Sequence, residues 1–283
     1  MKTDKELIKK FEEKIKEAFE YKYKELLKEP EKIVQTMLKD SPIFKINLLD
    51  FLKIYRNSSF YSKENEDKII KTLMDIKFQV FCILEVETGQ YNWRVVDLVG
   101  SFEEIPKNDF IFLTKLNIDQ NMIYKVRVLW ERIMNLVYLI VNKKDLEESS
   151  FNCPEDKQCP YIKGTRVYRK KSKKAEFKKF LEKSKEWGFM RRIMKKIDSF
   201  DNFFRTAETH KNSTLRRYFL EVKNVKTEEY CFDLLSIFMN ETYPNILKML
   251  KDEKPTVKFW RKMPIFPLDK QYLSKFNEKP PSI

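Results

Sequence analysis

The amino-terminal part of the chain places its apolar residues with the spacing of an amphipathic helix. Between residues 4 and 29 apolar side chains recur at steps of three, four and seven, at Ile8, Phe11, Ile15, Phe19 and Leu26. This spacing puts them on one face of a helix, with Lys and Glu nearly balanced between them. Pro30 ends the pattern, so a surface helix is predicted before it.

Shorter helices follow from the same kind of spacing at residues 31 to 39 and 43 to 56. The turn-like stretch "DSP" precedes the second of them, which makes Asp40 or Ser41 the candidate N-cap. The stretch "EIPKND" at residues 104 to 109 is predicted to be a loop.

Residues 64 to 100 allow two interpretations. The apolar positions keep helical spacing well into this region, at Ile69, Leu73, Ile76, Val80 and Leu84. That spacing favours two helices broken at Gly89. The alternative is a short β-hairpin around residue 89, with the stretch "TGQ" as its turn.

The longest uninterrupted apolar pattern predicts a central helix from about residue 119 to residue 145. Its apolar positions are Ile123, Val126, Leu129, Ile133, Leu136 or Val137, and Ile140. Such a helix belongs at the centre of a bundle or in a dimer interface. Further helices are predicted at residues 172 to 197, 199 to 222 and 227 to 250, and five prolines after residue 250 predict a non-helical arm.

Composition supports a helical fold. Four glycines in 283 residues supply few of the positive-φ positions that tight hairpins need. We therefore expect an all-α, multi-helical bundle. Its predicted parts are an N-terminal helical extension at residues 1-62, a bundle at residues 63-250 and a Pro-containing arm at residues 251-283.

The positive charge of the chain is concentrated in one segment. The formal net charge is +14, and residues 163 to 185 hold eleven Lys or Arg against two Glu. Such a segment attracts polyanions, although a solvated loop and helix face is the alternative. The residues predicted to bind RNA are Lys163, Arg166, Arg169, Lys170, Lys171, Lys173, Lys174, Arg216 and Arg217.

Several common kinds of site cannot be built from this sequence. A single histidine excludes three-histidine zinc centres, HExxH proteases and paired-histidine catalysis within one chain. The scattered glycines form no GxxxxGK, GxGxxG or GxSxG motif. Cys153 and Cys159 are separated by five residues, which differs from the usual zinc-knuckle spacing. We therefore expect no metal and no cofactor.

The sequence also bears on location. The N-terminal stretch has no apolar region of signal-peptide type, and the most apolar run, residues 133 to 141, is far shorter than the roughly 20 residues that span a bilayer. A cytoplasmic protein without membrane contact is expected.

Arg205 and the only histidine, His210, have four residues between them in the later part of the helical pattern. This pair resembles the Rx4-6H motif of the HEPN superfamily, and residues 126 to 140 are similar in character to that family's core helix. The resemblance covers roughly residues 65 to 250. It implies a metal-independent endoribonuclease of toxin or defence type, a homodimer with Arg205 and His210 catalytic, and room for a neutralising protein partner.

The alternative is a non-catalytic HEPN-like helical module that binds RNA or a protein partner. Residues five positions apart on a straight helix point about 140° apart, from the 100° per residue of helical geometry. Arg205 and His210 can meet at one phosphate only through long reach, an irregular turn or a second protomer. Without such convergence, Arg205 would pair with Glu208 and His210 would sit on a polar surface.

Overall fold

The computed structural model describes residues 4–26, 28–87, 107–146, 173–201 and 227–256. Within these ranges the chain forms helices joined by short turns, and no β-strand occurs in them. The all-α, multi-helical fold expected from the sequence is confirmed for this part of the chain.

The amino-terminal helices follow the predicted pattern with one division. Their bounds are α1 Asp4–Glu20, continued by a π-helical turn Tyr21–Leu26, then α2 Glu31–Asp40, α3 Pro42–Lys45 and α4 Leu48–Arg56. The single helix predicted at 43 to 56 is divided because Asn47 starts a new helix, its side-chain oxygen accepting the Asp50 backbone N–H at 3.1 Å. Ser41, rather than Asp40, provides the cap of α3.

The doubtful region is helical as far as the structure describes it. Helix α5 spans Glu66–Phe81 and continues as a π-helical turn over Cys82–Glu87. Residues 79 to 87 would have formed the first strand of the alternative hairpin. Because these residues are helical, the prediction of that strand is wrong. The predicted turn around Gly89 lies outside the described residues.

The central helix, α6, spans Lys107–Asn142 and begins earlier than the sequence pattern predicted. Residues 107 to 109 are therefore helical rather than part of a loop. No glycine or proline follows Pro106 until after the end of this helix, so nothing in the chain interrupts it. The helix ends at Asn142, and the next residue, Lys143, has a positive φ of 58°, the left-handed conformation typical of the residue after a helix.

The predicted helix at 172 to 197 is two helices, α7 Lys173–Lys183 and α8 Phe189–Phe200. A short 3₁₀ turn, Lys185–Trp187, separates them and buries Trp187 completely. Gly188 lies so close to the Lys185 carbonyl that a Cβ would approach it to 3.0 Å. A glycine at this position therefore allows the chain to turn tightly.

The last predicted helix is present with an irregular turn inside it. Helix α9 spans Thr227–Ile237, a π-helical turn covers Phe238–Thr242, and α10 spans Tyr243–Leu250. The described start of the arm, residues 251 to 256, is non-helical as predicted.

The core is organised around α6. This helix packs along α5 and also contacts α7 and α9. Its Trp130 is fully buried and meets Phe238 edge to face, with ring centroids 6.4 Å apart. Tyr138 meets Phe180 of α7 in the same manner at 5.4 Å. The long apolar pattern of the sequence is thus a buried helix at the centre of the bundle.

The predicted N-terminal extension contributes to the same apolar core. Ile8, Ile15 and Phe19 of α1 belong to one cluster with α5 and α6 side chains. The boundary at residue 63 stays a prediction.

Among the described helices, none has a hydrophobic stretch of the length that spans a bilayer.

Candidate functional site

Most of the residues predicted to act on RNA lie outside the described residues. These are Arg205 and His210, together with Lys163, Arg166, Arg169, Lys170, Lys171, Arg216 and Arg217. The two cysteines of the "CPEDKQCP" stretch lie outside them as well. The structure does place Lys173 and Lys174, and it describes the chain up to Asp201, four residues before Arg205.

Asp201 directly follows α8 and is almost fully buried, with 2% of its surface exposed. A lone carboxylate at such a position would be strongly disfavoured because it loses its hydration. Two cations compensate for it. Lys174 donates from Nζ to Oδ2 at 2.6 Å, and Arg127 Nε lies 3.0 Å from Oδ1.

Arg127 comes from the middle of α6 and is also buried. Its Nε faces Asp201 at ion-pair distance, although neither atom makes a well-aligned hydrogen bond. Its Nη2 lies 3.3 Å from Oε1 of Glu131, one turn further along α6. Arg127 is therefore held by charge on two sides within the apolar interior.

Asp198, one turn before Asp201, joins the same group of charges. It lies 3.1 Å from Lys174 Nζ and accepts a 2.5 Å hydrogen bond from Lys178. Partial burial raises the pKa of Asp198, but the hydrogen bonds from Lys178 and Lys174 outweigh that effect and hold its pKa below the ordinary value.

We call this group the Asp201 network, and it joins three helices. Its members are Arg127 and Glu131 of α6, Lys174 and Lys178 of α7, and Asp198 and Asp201 at the end of α8. Three positive and three negative charges balance in it. The network therefore fixes the end of α8, from which the chain continues toward Arg205.

The two predicted RNA-binding lysines that the structure describes differ in their surroundings. Lys173 is exposed at the start of α7, whereas the side chain of Lys174 is 22% exposed and faces two carboxylates. The RNA-binding role of both stays a prediction. Only Lys173 points its charge into solvent.

Reasoning from the sequence missed Arg127 and Asp201. A signal for Arg127 was present, because it occupies a position in the stripe Ile123, Trp130, Met134 and Val137, whose steps are otherwise those of a buried helix face. A charge at such a position must find an opposite charge inside the fold. Asp201 had no comparable local signal, since its burial depends on how α8 packs against α6 and α7.

No group of three His, Cys, Asp or Glu side chains arranged to hold a metal ion occurs among the described residues. No protein-family model matches the chain, and comparison with curated proteins and with solved structures finds no match.

Proposed function

We propose that the chain is a metal-independent endoribonuclease of toxin or defence type, in which Arg205 and His210 form the active site of a homodimer. The observation that carries the proposal is the Arg205-x4-His210 spacing around the only histidine of the sequence, which is similar to the HEPN Rx4-6H motif. The helical architecture of the described residues is compatible with such a bundle.

The proposed chemistry needs one proton carrier and one fixed cation. An imidazole titrates near neutral pH, so His210 can take the proton from a ribose 2′-OH or give one to the leaving 5′-oxygen. A guanidinium stays charged and offers a fork of donors, so Arg205 can bind the scissile phosphate and the additional negative charge of the transition state.

A homodimer supplies the second catalytic group that a single histidine cannot provide. Two copies bring two histidines and two arginines to one cleft, which also removes the difficulty of the 140° separation on a straight helix. The Asp201 network supports the arrangement by anchoring the helix end four residues before Arg205. A cytoplasmic location, RNA as substrate and a neutralising protein partner belong to the same proposal.

The second candidate is a non-catalytic helical module that binds RNA or a protein partner. The exposed Lys173 and the exposed lysines that follow it on α7 favour this reading, because phosphate contact by lysines requires no catalytic histidine. The two candidates differ in whether the chain cleaves RNA.

The test compares cleavage and binding of a mixed set of single-stranded and structured RNAs in EDTA. Arg205→Ala and His210→Ala should each lose at least about 100-fold in cleavage rate, the usual contribution of acid–base or charge stabilisation. Arg132→Ala is the matched control, since Arg132 is a half-exposed arginine whose described ion pair is with the exposed Asp75. Cleavage at equal rates by all four proteins, or none by the parent with RNA binding intact, would favour the binding module.

A further inference from the structure

A surface cleft between α1 and α4 has no part in the proposed cleavage of RNA. Its volume is about 410 Å³, which suits one molecule of metabolite size rather than a strand of nucleic acid. The outer side of α4 forms one wall, and the first described turn of α1 contributes to the other. We call it the α1–α4 cleft. Its charged lining residues are Lys5, Asp50, Lys53 and Arg56.

The α4 wall of the cleft is a firmly held surface. Asp50, Lys53 and Arg56 follow one another at steps of three, which places them on one side of the helix. On the other side, Phe51 and Tyr55 are fully buried in the core. Helix α4 therefore presents its charged residues to the cleft from fixed backbone positions.

Arg56 is oriented by a carboxylate of α5. It donates from Nε to Oε1 of Glu66 at 3.1 Å, and its Nη2 contacts the same oxygen. Tyr61 also hydrogen-bonds to Glu66, so the carboxylate is itself held in place. Glu66 balances the charge of Arg56, with a smaller effect from Asp4. The Nη1 group of Arg56 bonds to none of the described residues and remains a donor for a molecule in the cleft.

The other charged groups of the cleft are not balanced in this way. Lys5, Asp50 and Lys53 are exposed, and none of them lies within ion-pair distance of an opposite charge among the described residues. A cation in the first turn of a helix is disfavoured by the helix dipole, so the stability of α1 does not explain Lys5. The cleft thus holds two lysines and one carboxylate whose charges are free to meet a ligand.

We propose that the α1–α4 cleft binds a small phosphate monoester that also carries hydroxyl groups, such as a ribose phosphate or a nucleoside monophosphate. The phosphate group carries a charge of about −1.5 to −2 at neutral pH, which matches Lys5, Lys53 and the remaining donor of Arg56. The carboxylate of Asp50 accepts hydrogen bonds from the sugar hydroxyls. The inference does not rest on the proposed function, because no residue of the cleft takes part in that reaction.

Two other kinds of small molecule fit the cleft less well. A zwitterionic amino acid would leave one of the two free lysines without a counter-charge. A wholly apolar molecule would remove the charged groups from water without pairing them, which is costly. The apolar part of the lining is limited and comes from Leu49 and Leu52. It suits the carbon skeleton of a sugar phosphate rather than a large apolar ligand.

Isothermal titration calorimetry of the full chain at low salt tests the proposal with AMP, ribose 5-phosphate, inorganic phosphate and adenosine as probes. The test variant is Lys5→Gln with Lys53→Gln. The matched control is Lys10→Gln with Lys32→Gln, which removes the same charge from two exposed lysines of α1 and α2 outside the cleft. A further variant, Asp50→Ala, removes the proposed acceptor of the hydroxyl groups. Thermal unfolding followed by circular dichroism establishes that every variant folds.

The test variant should bind AMP and ribose 5-phosphate at least about tenfold more weakly than the parent and the control, because charge-assisted hydrogen bonds to the phosphate are lost. Asp50→Ala should weaken the binding of both sugar phosphates without weakening that of inorganic phosphate. Tighter binding of AMP than of ribose 5-phosphate would identify the ligand as a nucleotide, and equal binding would identify it as a sugar phosphate.

Equal affinities in the test and control variants would overturn the proposal. Adenosine bound as tightly as AMP, inorganic phosphate bound as tightly as both sugar phosphates, or no binding of any probe by the folded parent would overturn it as well. These titrations measure no RNA cleavage. A parent chain that cleaves no RNA would therefore defeat the proposed function and leave this result standing.

Discussion

Asp201 and Arg127 are opposite charges that the fold buries, with 3% and 6% of their side chains exposed. At such depth the desolvation of a charge costs several kcal/mol, and the partner compensates for it only while both remain. Removing one member of the pair is therefore far more damaging than the modest net value of a salt bridge suggests. The Asp201 network therefore holds the end of the helix that precedes the proposed catalytic segment.

Asp201→Asn should lower the free energy of unfolding by about 3 kcal/mol, because Arg127 and Lys174 lose the carboxylate that compensates for their burial. Asp198→Asn is the matched control on the same helix, since its side chain is 28% exposed and its pairs with Lys174 and Lys178 are more solvated. We expect the control to lose about 1 kcal/mol or less. Urea unfolding monitored by circular dichroism measures both, and equal losses would contradict the account.

Helix α1 docks on α5 by apolar contact and by the ion pair between Glu12 and Lys77. Lys77 of α5 is 1% exposed, donates to Glu12 of α1 and to the Ile46 carbonyl at 3.0 Å, and lies over the Phe44 ring. Burial lowers the pKa of Lys77, and its interactions with Glu12 offset only part of that effect. The pair therefore sets the register of α1 on α5 at a cost in desolvation.

Glu12→Gln should lower the free energy of unfolding by about 3 kcal/mol, because it leaves Lys77 buried without a counter-charge. Adding Lys77→Met should restore most of this loss, since an apolar residue needs no partner there. Glu13→Gln is the control, because Glu13 is exposed and its described ion pair with Lys9 is long, at 3.9 Å. A double variant as unstable as Glu12→Gln would show that the charge of Lys77 is not the cause.

The same lysine predicts a pH dependence with a definite sign. Because the pKa of Lys77 is lower in the folded chain than the ordinary value of about 10.4, the unfolded chain binds more protons between those two values. The contribution of Lys77 to the free energy of unfolding should therefore rise with pH in that window. Urea unfolding of the parent and of Lys77→Met at a series of alkaline pH values should show this rise in the parent only, and parallel curves would contradict it.

Helices could be predicted well where one face is continuously apolar, as for α1, α2 and the main part of α6. The divisions inside the predicted helices were missed because they depend on local geometry that periodicity does not carry. Asn47 caps a new helix between two apolar stretches of similar spacing, and Gly188 allows a close approach to the Lys185 carbonyl. The α6 start was missed because Lys107 to Asp109 were grouped with the preceding proline.

Only part of the candidate site could be predicted from the sequence, because its charged residues come together through contacts between helices. The Arg205 and His210 pair is a local pattern, whereas the Asp201 network forms between helices far apart in sequence. Of its members, Lys174 was assigned to RNA by its basic neighbours, and the two carboxylates it faces in the fold were not visible from those neighbours.

At the scale of the whole molecule, the net charge of +14 is unevenly distributed. The surface of α1 is mixed in sign, whereas the described exposed side chains of α8 are all basic. Uneven charge of this kind steers a polyanion toward one side of a protein and raises its rate of association. Along the chain, α8 ends at the residues that Asp201 holds, and the segment with the proposed catalytic Arg205 and His210 follows.

The proposed cleavage by Arg205 and His210 uses the 2′-OH of the RNA itself, so the chemical identity of the product ends is the decisive measurement. We would incubate the parent chain with RNA in EDTA and analyse the ends by ³¹P NMR and by end-specific enzymatic labelling. We expect 2′,3′-cyclic phosphate and 5′-hydroxyl ends, because an internal oxygen attacks the phosphate without a metal. Products with 3′-hydroxyl and 5′-phosphate ends, or cyclic ends that persist in His210→Ala, would contradict it.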